Sequence, residues 1–75
     1  MSKIHNQKKT RLKKQMETTG VSAVMVARAT GIHESQISRF KSGERLPKPY
    51  HASIIECYFF DDEFTAFDLI FNPYI

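Results

Sequence analysis

The sequence contains no tryptophan, one cysteine and three glycines among its 75 residues. A single cysteine cannot form an intrachain disulfide, and no glycine-rich phosphate loop is present. Because no signal peptide and no long apolar run is evident, we expect a soluble, cytoplasmic protein without membrane contact. We expect Cys57 to be a small buried hydrophobic residue on a helix rather than a reactive thiol.

Residues suited to catalysis or metal binding are few and poorly spaced for a site. The candidate ligands match no common metal-binding pattern and are His5, His33, His51 and Cys57. No nucleophile has a local base, and a chain this short has little room for a deep cleft. The sequence therefore predicts a protein that is not an enzyme and that needs no metal or cofactor.

Positive charge is absent from the C-terminal third. All eleven Lys and Arg lie in residues 1–50 with three Glu, whereas residues 51–75 carry five Asp and Glu, giving net charges of +8 and −5. The basic part indicates a polyanionic partner, although lysine-rich helices are also common solubilising surfaces. The acidic, aromatic part indicates packing or protein contact away from that partner.

Residues 23–42 hold two short helical patterns that share one glycine. Apolar residues at helical spacing precede and follow Gly31: Val24, Met25 and Ala27, then Ile32, Ile37 and Phe40. The small side chain of Ala27 allows a second helix to cross closely, and glycine accepts the positive φ of a sharp turn. The pattern predicts a helix that is capped by Ser22 and ends near Ala29, a tight turn, and a second helix over residues 34–42.

The second of these helices has one apolar and one polar side. Ile37 and Phe40 define the buried direction, and the polar residues point away from it or flank it: Glu34, Ser35, Gln36, Ser38, Arg39 and Ser42. A helix of about 10 Å diameter with such a face fits the major groove of B-DNA, which is about 12 Å wide. An ordinary solvated amphipathic helix has the same pattern.

These residues resemble the helix-turn-helix of the lambda-repressor-like (Cro/C1-type) family. The family's alanine, glycine and two apolar positions are matched by Ala27, Gly31, Ile37 and Phe40. Residues 35–41 resemble the recognition helix of phage CII-type activators, with Phe40 where those usually carry Trp. Residues 43–47 are similar to the family's glycine-to-proline spacer, and the likeness covers roughly residues 10–70.

One position departs from the family's pattern. The family often has a phosphate-contacting Gln at the first position of the first motif helix, where this chain has Ala23. That contact is therefore absent or is made by Ser22.

The resemblance implies an all-α fold, a compact five-helix lambda-repressor-like domain with a central helix-turn-helix over residues 1–75. It also implies a sequence-specific regulator of transcription that binds double-stranded DNA, encoded by a phage or prophage and CII- or Cro-like. Such a protein would act in the cytoplasm of a bacterial host cell. As an activator, it would also contact RNA polymerase.

In this interpretation, residues 34–42 enter the major groove. Arg39 is the best base reader because its guanidinium can pair bidentately with guanine, while Gln36 or Ser35 can read adenine and Glu34 can accept from cytosine. Ser38 completes the base-reading set. The predicted phosphate contacts are Ser22, His33, Lys41, Ser42, Arg45 and Lys48.

The N-terminal part is predicted to be an arm and a helix. We expect residues 1–5 to be flexible and a helix to span residues 7–18, capped by Ser2 or Asn6, with Gly20 just past its end. The apolar face of this helix is thin and consists of Leu12 and Met16.

Two further helices are predicted downstream. One begins at or after Pro49 and continues through Phe59, with a core face formed by Ile54, Ile55 and Tyr58. The acidic run of residues 61–63 is expected at the N-terminus of the last helix, which Asn72 and Pro73 end.

Residues 61–75 carry more large apolar side chains than a small core obviously needs: Phe64, Phe67, Ile70, Phe71 and Tyr74. This surplus predicts a homodimer or a higher even oligomer, and two-fold symmetry would extend the DNA sequence that is read. Alternatively, the same side chains complete the core of the monomer.

Two other classes of function remain open. A protein-interaction module on the same fold would not need the polar face flanked by Lys41, Arg45 and Lys48. A small enzyme or an RNA-binding protein fits less well, because no catalytic set is present and no aromatic residue on the predicted binding face can stack on unpaired bases.

Overall fold

The computed structural model of the chain describes residues 9–75, and all the secondary-structure elements in this range are helices. The five helices are α1 (Arg11–Thr19), α2 (Ala23–Thr30), α3 (Glu34–Ser42), α4 (Pro49–Phe59) and α5 (Ala66–Phe71). One isolated antiparallel bridge joins Thr10 to Tyr74. The prediction of an all-α fold with five helices is confirmed. None of the helices in this part of the chain is long and apolar enough to cross a membrane.

Local capping sets the ends of α2 as predicted. The hydroxyl of Ser22 accepts a hydrogen bond from the Met25 amide at 3.3 Å. Gly31 follows the helix in the left-handed region with φ of 79°, and its amide donates to the Ala27 carbonyl at 2.9 Å. This conformation is costly for residues with a Cβ, so glycine permits the sharp turn into α3.

The core is formed by side chains from all five helices. α3 packs against α1 and α2, while α4 packs against α2 and α5. The buried apolar side chains are Leu12, Met16, Val26, Ile32, Ile37, Phe40, Ala52, Ile55, Phe64 and Leu69. Full burial of a large aliphatic or aromatic side chain contributes about 1.5–3 kcal/mol, so this cluster holds α3 rigidly on its scaffold.

The apolar residues that mark the helical pattern of α2 do not all face the core. Val24 and Met25 are exposed, whereas Val26 is fully buried and Ala27 packs at the edge of the core. The positions facing α3 and α4 are set by where those helices cross α2. An eight-residue helix has too few apolar positions to indicate that direction by periodicity alone.

The predicted start and cap of α1 are also corrected. Thr10 has extended backbone angles, and its hydroxyl accepts from the Lys13 amide at 3.0 Å, so the helix begins at Arg11 and not at residue 7. Lys9 is likewise outside the helix, because its carbonyl accepts from the Ile75 amide at 2.9 Å. The predicted arm over residues 1–5 and the proposed caps Ser2 and Asn6 lie outside the described residues.

The acidic run does not begin α5 as predicted but forms the turn before it. A carboxylate oxygen of Asp61 accepts from the Glu63 amide at 2.9 Å, and the other accepts from the Gln15 side chain at 3.1 Å. These bonds, the backbone bond first, lower the pKa of the Asp61 carboxyl. α5 begins later, at Ala66, where the Thr65 hydroxyl caps the helix by accepting from the Asp68 amide at 3.1 Å.

α4 begins at Pro49 as predicted, and Ile55 on its inner face is fully buried. Ile54 and Tyr58 are only half-buried, so they border the core instead of filling it. Cys57 lies on α4 but is exposed, contrary to expectation. It is two positions from Ile55, which places it about 200° around the helix from the buried face.

Candidate functional site

α3 presents one continuous polar face to solvent. Ile37 and Phe40 are buried beneath it, as the helical wheel predicted. Of the predicted base readers, Gln36 is half-buried, and the others are exposed: Glu34, Ser35, Ser38 and Arg39. The structure therefore brings the predicted set together on a single surface, which we call the α3 face.

Arg39 is the one cation among these predicted readers. Its Nε atom lies 3.8 Å from a carboxylate oxygen of Glu44, and both side chains are at least half exposed. A surface pair of this length contributes about 0–1 kcal/mol and is easily exchanged for another acceptor. The Arg39 carbonyl accepts from the Gly43 and Arg45 amides at 3.1 and 3.3 Å, which fixes the backbone that carries the guanidinium.

His33 caps the N-terminus of α3. Its Nδ1 atom accepts from the Ser35 amide at 3.1 Å and lies 2.9 Å from the Ser35 hydroxyl. In the neutral ring, an accepting Nδ1 leaves the proton on Nε2. The exposed ring thus offers an N–H donor beside the positive end of the helix dipole, a combination suited to a phosphate.

The chain leaving α3 carries the remaining predicted phosphate donors. Arg45 and Lys48 are exposed and line one shallow surface cavity with Gln36 and His51, while Lys41 is half-buried on α3. The Ser42 hydroxyl already donates to the Arg39 carbonyl at 3.1 Å and accepts from the Glu44 amide at 3.2 Å. The Ser42 hydroxyl therefore stabilises the turn that follows α3, and the side chain is also exposed to solvent.

Ser22 lies in another element, at the N-terminus of α2. Its hydroxyl oxygen accepts the capping bond, so its proton remains available to an external acceptor. α2 packs against α3, so Ser22 begins the helix next to the one that bears the α3 face.

Ion pairing leaves most cations near the α3 face available. Within residues 9–75 the ion pairs are Lys9 with Glu17 at 2.9 Å and the longer Arg39 contact with Glu44. The hydrogen bond from Lys9 lowers the pKa of the Glu17 carboxyl. Lys41, Arg45 and Lys48 form no ion pair in the described part of the chain, so their charges can act on an external anion.

Tyr50 is a neighbour of the site that the sequence did not indicate. Tyr50 is 64% exposed, and its ring contacts that of His51 in a tilted arrangement with centroids 4.2 Å apart. The His51 ring in turn contacts Phe40 of α3 at 5.6 Å, and both α4 rings line a cavity with His33 and Gln36. The sequence signal for Tyr50 was its position directly after Pro49, at the start of the helix that follows α3.

The first turn of α4 has no side-chain cap. Lys48 occupies the N-cap position without making a capping hydrogen bond, and Pro49 contributes no amide proton. Nearby, His51 Nδ1 is buried without a hydrogen-bond partner, alone in this respect among the side chains that the structure describes. No group of three or more potential metal ligands occurs within residues 9–75.

Comparison with known proteins agrees with this arrangement. The helix-turn-helix family model matches residues 12–60, from α1 to the end of α4, and includes the whole α3 face. No curated protein and no solved structure matches the chain. Members of this family bind DNA and are typically not enzymes. The match spans more than half of the chain in a five-helix all-α fold, so this chain belongs to the Cro/C1-type helix-turn-helix family.

Proposed function

We propose that this protein is a sequence-specific regulator of transcription that inserts α3 into the major groove of double-stranded DNA. One observation carries the proposal: α3 is anchored by buried Ile37 and Phe40 while its entire outer face is polar. A rigidly held helix can present side chains to base edges in a fixed register, which sequence reading requires.

The chemistry of the α3 face suggests a division of roles. Arg39 has the fork of donors that suits guanine, and Gln36 and Glu34 can pair with adenine and cytosine edges. Ser35 and Ser38 are short enough to contact bases directly or through water. The cations at the exit of α3 and the His33 ring would bind phosphates and set the register without reading sequence.

Selection of binding sites from random duplexes with the purified protein tests this function. The expected result is a pool that converges on one site, with two half-sites about 10–10.5 base pairs apart if two copies bind side by side. Arg39→Ala should lose preference at one position, whereas Arg28→Ala, with the same charge change at an exposed position of α2, should select the same site. A pool that never departs from its starting composition would contradict the proposal.

The working unit in this proposal is a homodimer or a higher even oligomer joined through α5. Phe67 and Phe71 are 62% and 66% exposed, and their rings contact each other in a tilted arrangement with centroids 4.8 Å apart. Phe64, by contrast, is buried and belongs to the core of the monomer. The predicted aromatic surplus is thus divided between core and surface, and the exposed pair is the surface that a second copy would cover.

The position of α5 supports this mode of assembly. In the described residues α5 packs on α4 and α1, and no packing between α5 and α3 occurs. A second copy on Phe67 and Phe71 would therefore leave the α3 face open to DNA. The C-terminal third also carries no Lys or Arg, so it would not be drawn to phosphates itself.

The similarity of residues 35–41 to phage CII-type recognition helices supports a phage or prophage origin. We therefore place the protein in the cytoplasm of a bacterial host, where an activator would also contact RNA polymerase. A reporter gene placed behind the selected site would distinguish activation from repression, since transcription would rise or fall when the protein is expressed.

A protein-interaction module on the same fold is the second candidate function. The exposed apolar residues Val24 and Met25 on α2 favour it, because a module that docks on proteins needs an apolar contact. DNA binding with no response to salt would support this candidate, since phosphate contacts release counterions.

A further inference from the structure

The C-terminal tail, residues 72–75, pairs with the chain that enters α1. The Arg11 amide donates to the Pro73 carbonyl at 2.8 Å, and the Ile75 amide donates to the Lys9 carbonyl at 2.9 Å. The Arg11 side chain adds a bond from Nε to the Asn72 carbonyl at 2.6 Å. The two ends of the described chain therefore form a short two-stranded junction.

This junction contacts the C-terminal end of α3. Thr10 is buried, and its hydroxyl donates to the Lys41 carbonyl at 2.6 Å. The Tyr74 ring packs against Gly43, the residue that follows α3. A Cβ atom added at Gly43 would lie 3.2 Å from Cε1 and from the hydroxyl oxygen of Tyr74, and 3.3 Å from the Thr10 methyl group.

These contacts stabilise the C-terminal end of α3. The last carbonyls of a helix have no partner inside the helix, and a nine-residue helix is marginal on its own. In α3, the Lys41 carbonyl is satisfied by Thr10, and the left-handed Gly43 is covered by Tyr74. The end of α3, which carries Arg39 and Lys41, is thus in contact with Thr10 and Tyr74, which lie near the two ends of the described chain.

We propose that residues 72–75 position α3 for DNA binding, with Tyr74 as the positioning residue that holds its C-terminal turn. The inference rests on the proposed function, the insertion of α3 into the major groove. Because Arg39, Lys41, Arg45 and Lys48 lie in or after this turn, a small shift of the turn would move both base and phosphate contacts.

Binding to a duplex selected by the wild-type protein gives the first test. Tyr74→Ala should bind that duplex about tenfold more weakly, because the phosphate contacts and the Arg39 guanidinium lose their common register. Its base preference at the position read by Arg39 should also weaken. Ile75→Ala is the matched control: it keeps the backbone bond to Lys9 and removes only an exposed side chain, so it should bind as the wild type does.

A second test uses no DNA and compares two glycines that both have positive φ. Gly20 has φ of 75° and no heavy atom within 4 Å of an added Cβ, so Gly20→Ala measures the conformational cost alone. Gly43→Ala adds the contacts with Tyr74 and with the Thr10 methyl group and should lower the melting temperature further. In a Tyr74→Ala background the part of this excess due to Tyr74 should disappear, whereas the effect of Gly20→Ala should be unchanged.

Amide hydrogen exchange locates the effect in the helix. In Tyr74→Ala, the Gly43 and Arg45 amides, which donate to the Arg39 carbonyl, should exchange faster. The Gly31 amide at the end of α2 should keep its protection. If Tyr74→Ala does not fold, Tyr74→Leu serves instead, because it keeps a large apolar side chain at this position but lacks the ring above Gly43.

The outcomes separate the two proposals. If the wild type selects a duplex and Tyr74→Ala binds it equally well with the same preference, the tail does not position α3 and the proposed function stands. If the wild type selects nothing, the proposed function and this inference both fail. Additive effects of Gly43→Ala and Tyr74→Ala would independently contradict the contact on which the inference depends.

Discussion

Ile37 and Arg39 are two positions apart on α3 and face opposite directions, one fully buried and one half exposed. Replacing Arg39 with Ala should weaken binding to the selected duplex by about 1–3 kcal/mol and relax one base preference. The melting temperature should change little, since the contact with Glu44 spans 3.8 Å at the surface. Repeated selection with the variant checks this result, and unchanged preferences at every position would remove Arg39 from the reading role.

Ile37→Val should give the opposite pattern. Removing one methylene from a fully buried side chain lowers the free energy of unfolding by about 0.5–1.5 kcal/mol. Base preference should stay the same, because the side chain contacts the scaffold and not the DNA. Denaturant unfolding measures the first effect and repeated selection the second, and a shifted base preference would contradict the assignment of Ile37 to folding alone.

At the scale of the element, the exit of α3 is expected to supply the electrostatic part of binding. If roughly five phosphates are neutralised per subunit, the logarithm of the binding constant should fall against the logarithm of salt concentration with a slope of about −4 to −5. Alanine at Lys41, Arg45 or Lys48 should reduce the magnitude of this slope by about one without changing the preferred sequence.

The control for these variants is Lys9→Ala. It removes a cation that is already paired with Glu17 at 2.9 Å, so the slope should remain that of the wild type. A slope close to zero for the wild type would instead show that no polyanion is bound.

The turn between α4 and α5 predicts a pH effect. Hydrogen bonds from the Glu63 amide, and then from Gln15, lower the pKa of the Asp61 carboxyl in the folded chain. A lowered folded pKa means that this stabilisation is present above the unfolded pKa of Asp61 and is lost as pH falls through the folded value. Titration by NMR should find the Asp61 pKa lower in the folded protein than in the unfolded chain.

Gln15→Ala sharpens this measurement. It should raise the Asp61 pKa only part of the way to the unfolded value, because the larger contribution comes from the Glu63 amide. Equal values in the folded and unfolded chains would show that the turn does not form as described.

At the scale of the whole molecule, the α5 surface predicts self-association. Sedimentation of the wild type should show a dimer or a higher even oligomer at tens of micromolar, and Phe67→Asp with Phe71→Asp should give a folded monomer. Both side chains are more than 60% exposed, so charge there should not unfold the core. Tyr74 is unsuitable for this test, because its ring packs on the turn at Gly43.

Phe60→Asp provides the matched control for association. Phe60 is 92% exposed but follows α4, so the variant introduces the same charge outside α5 and should leave the oligomer intact. A wild type that stays monomeric both with and without the selected duplex would contradict the dimer.

The sequence by itself determined the features that depend on a few neighbouring residues. The turn at Gly31, the cap at Ser22 and both ends of α3 were predicted correctly, because caps and left-handed turns involve groups within about four positions of one another. The polar α3 face also followed from helical periodicity, since Ile37 and Phe40 leave one side of a nine-residue helix without apolar groups.

Only the tertiary structure decided which neighbours cover each side of an element. At the start of α1 the local cap at Thr10 was missed, and the pairing of Thr10 with Tyr74 near the other end of the chain is a contact that local sequence cannot specify. The exposure of Cys57 and the burial of Val26 depend on where helices cross. Phe64 and Phe67 have the same side chain, yet packing against α4 buries the first and leaves the second free for a partner.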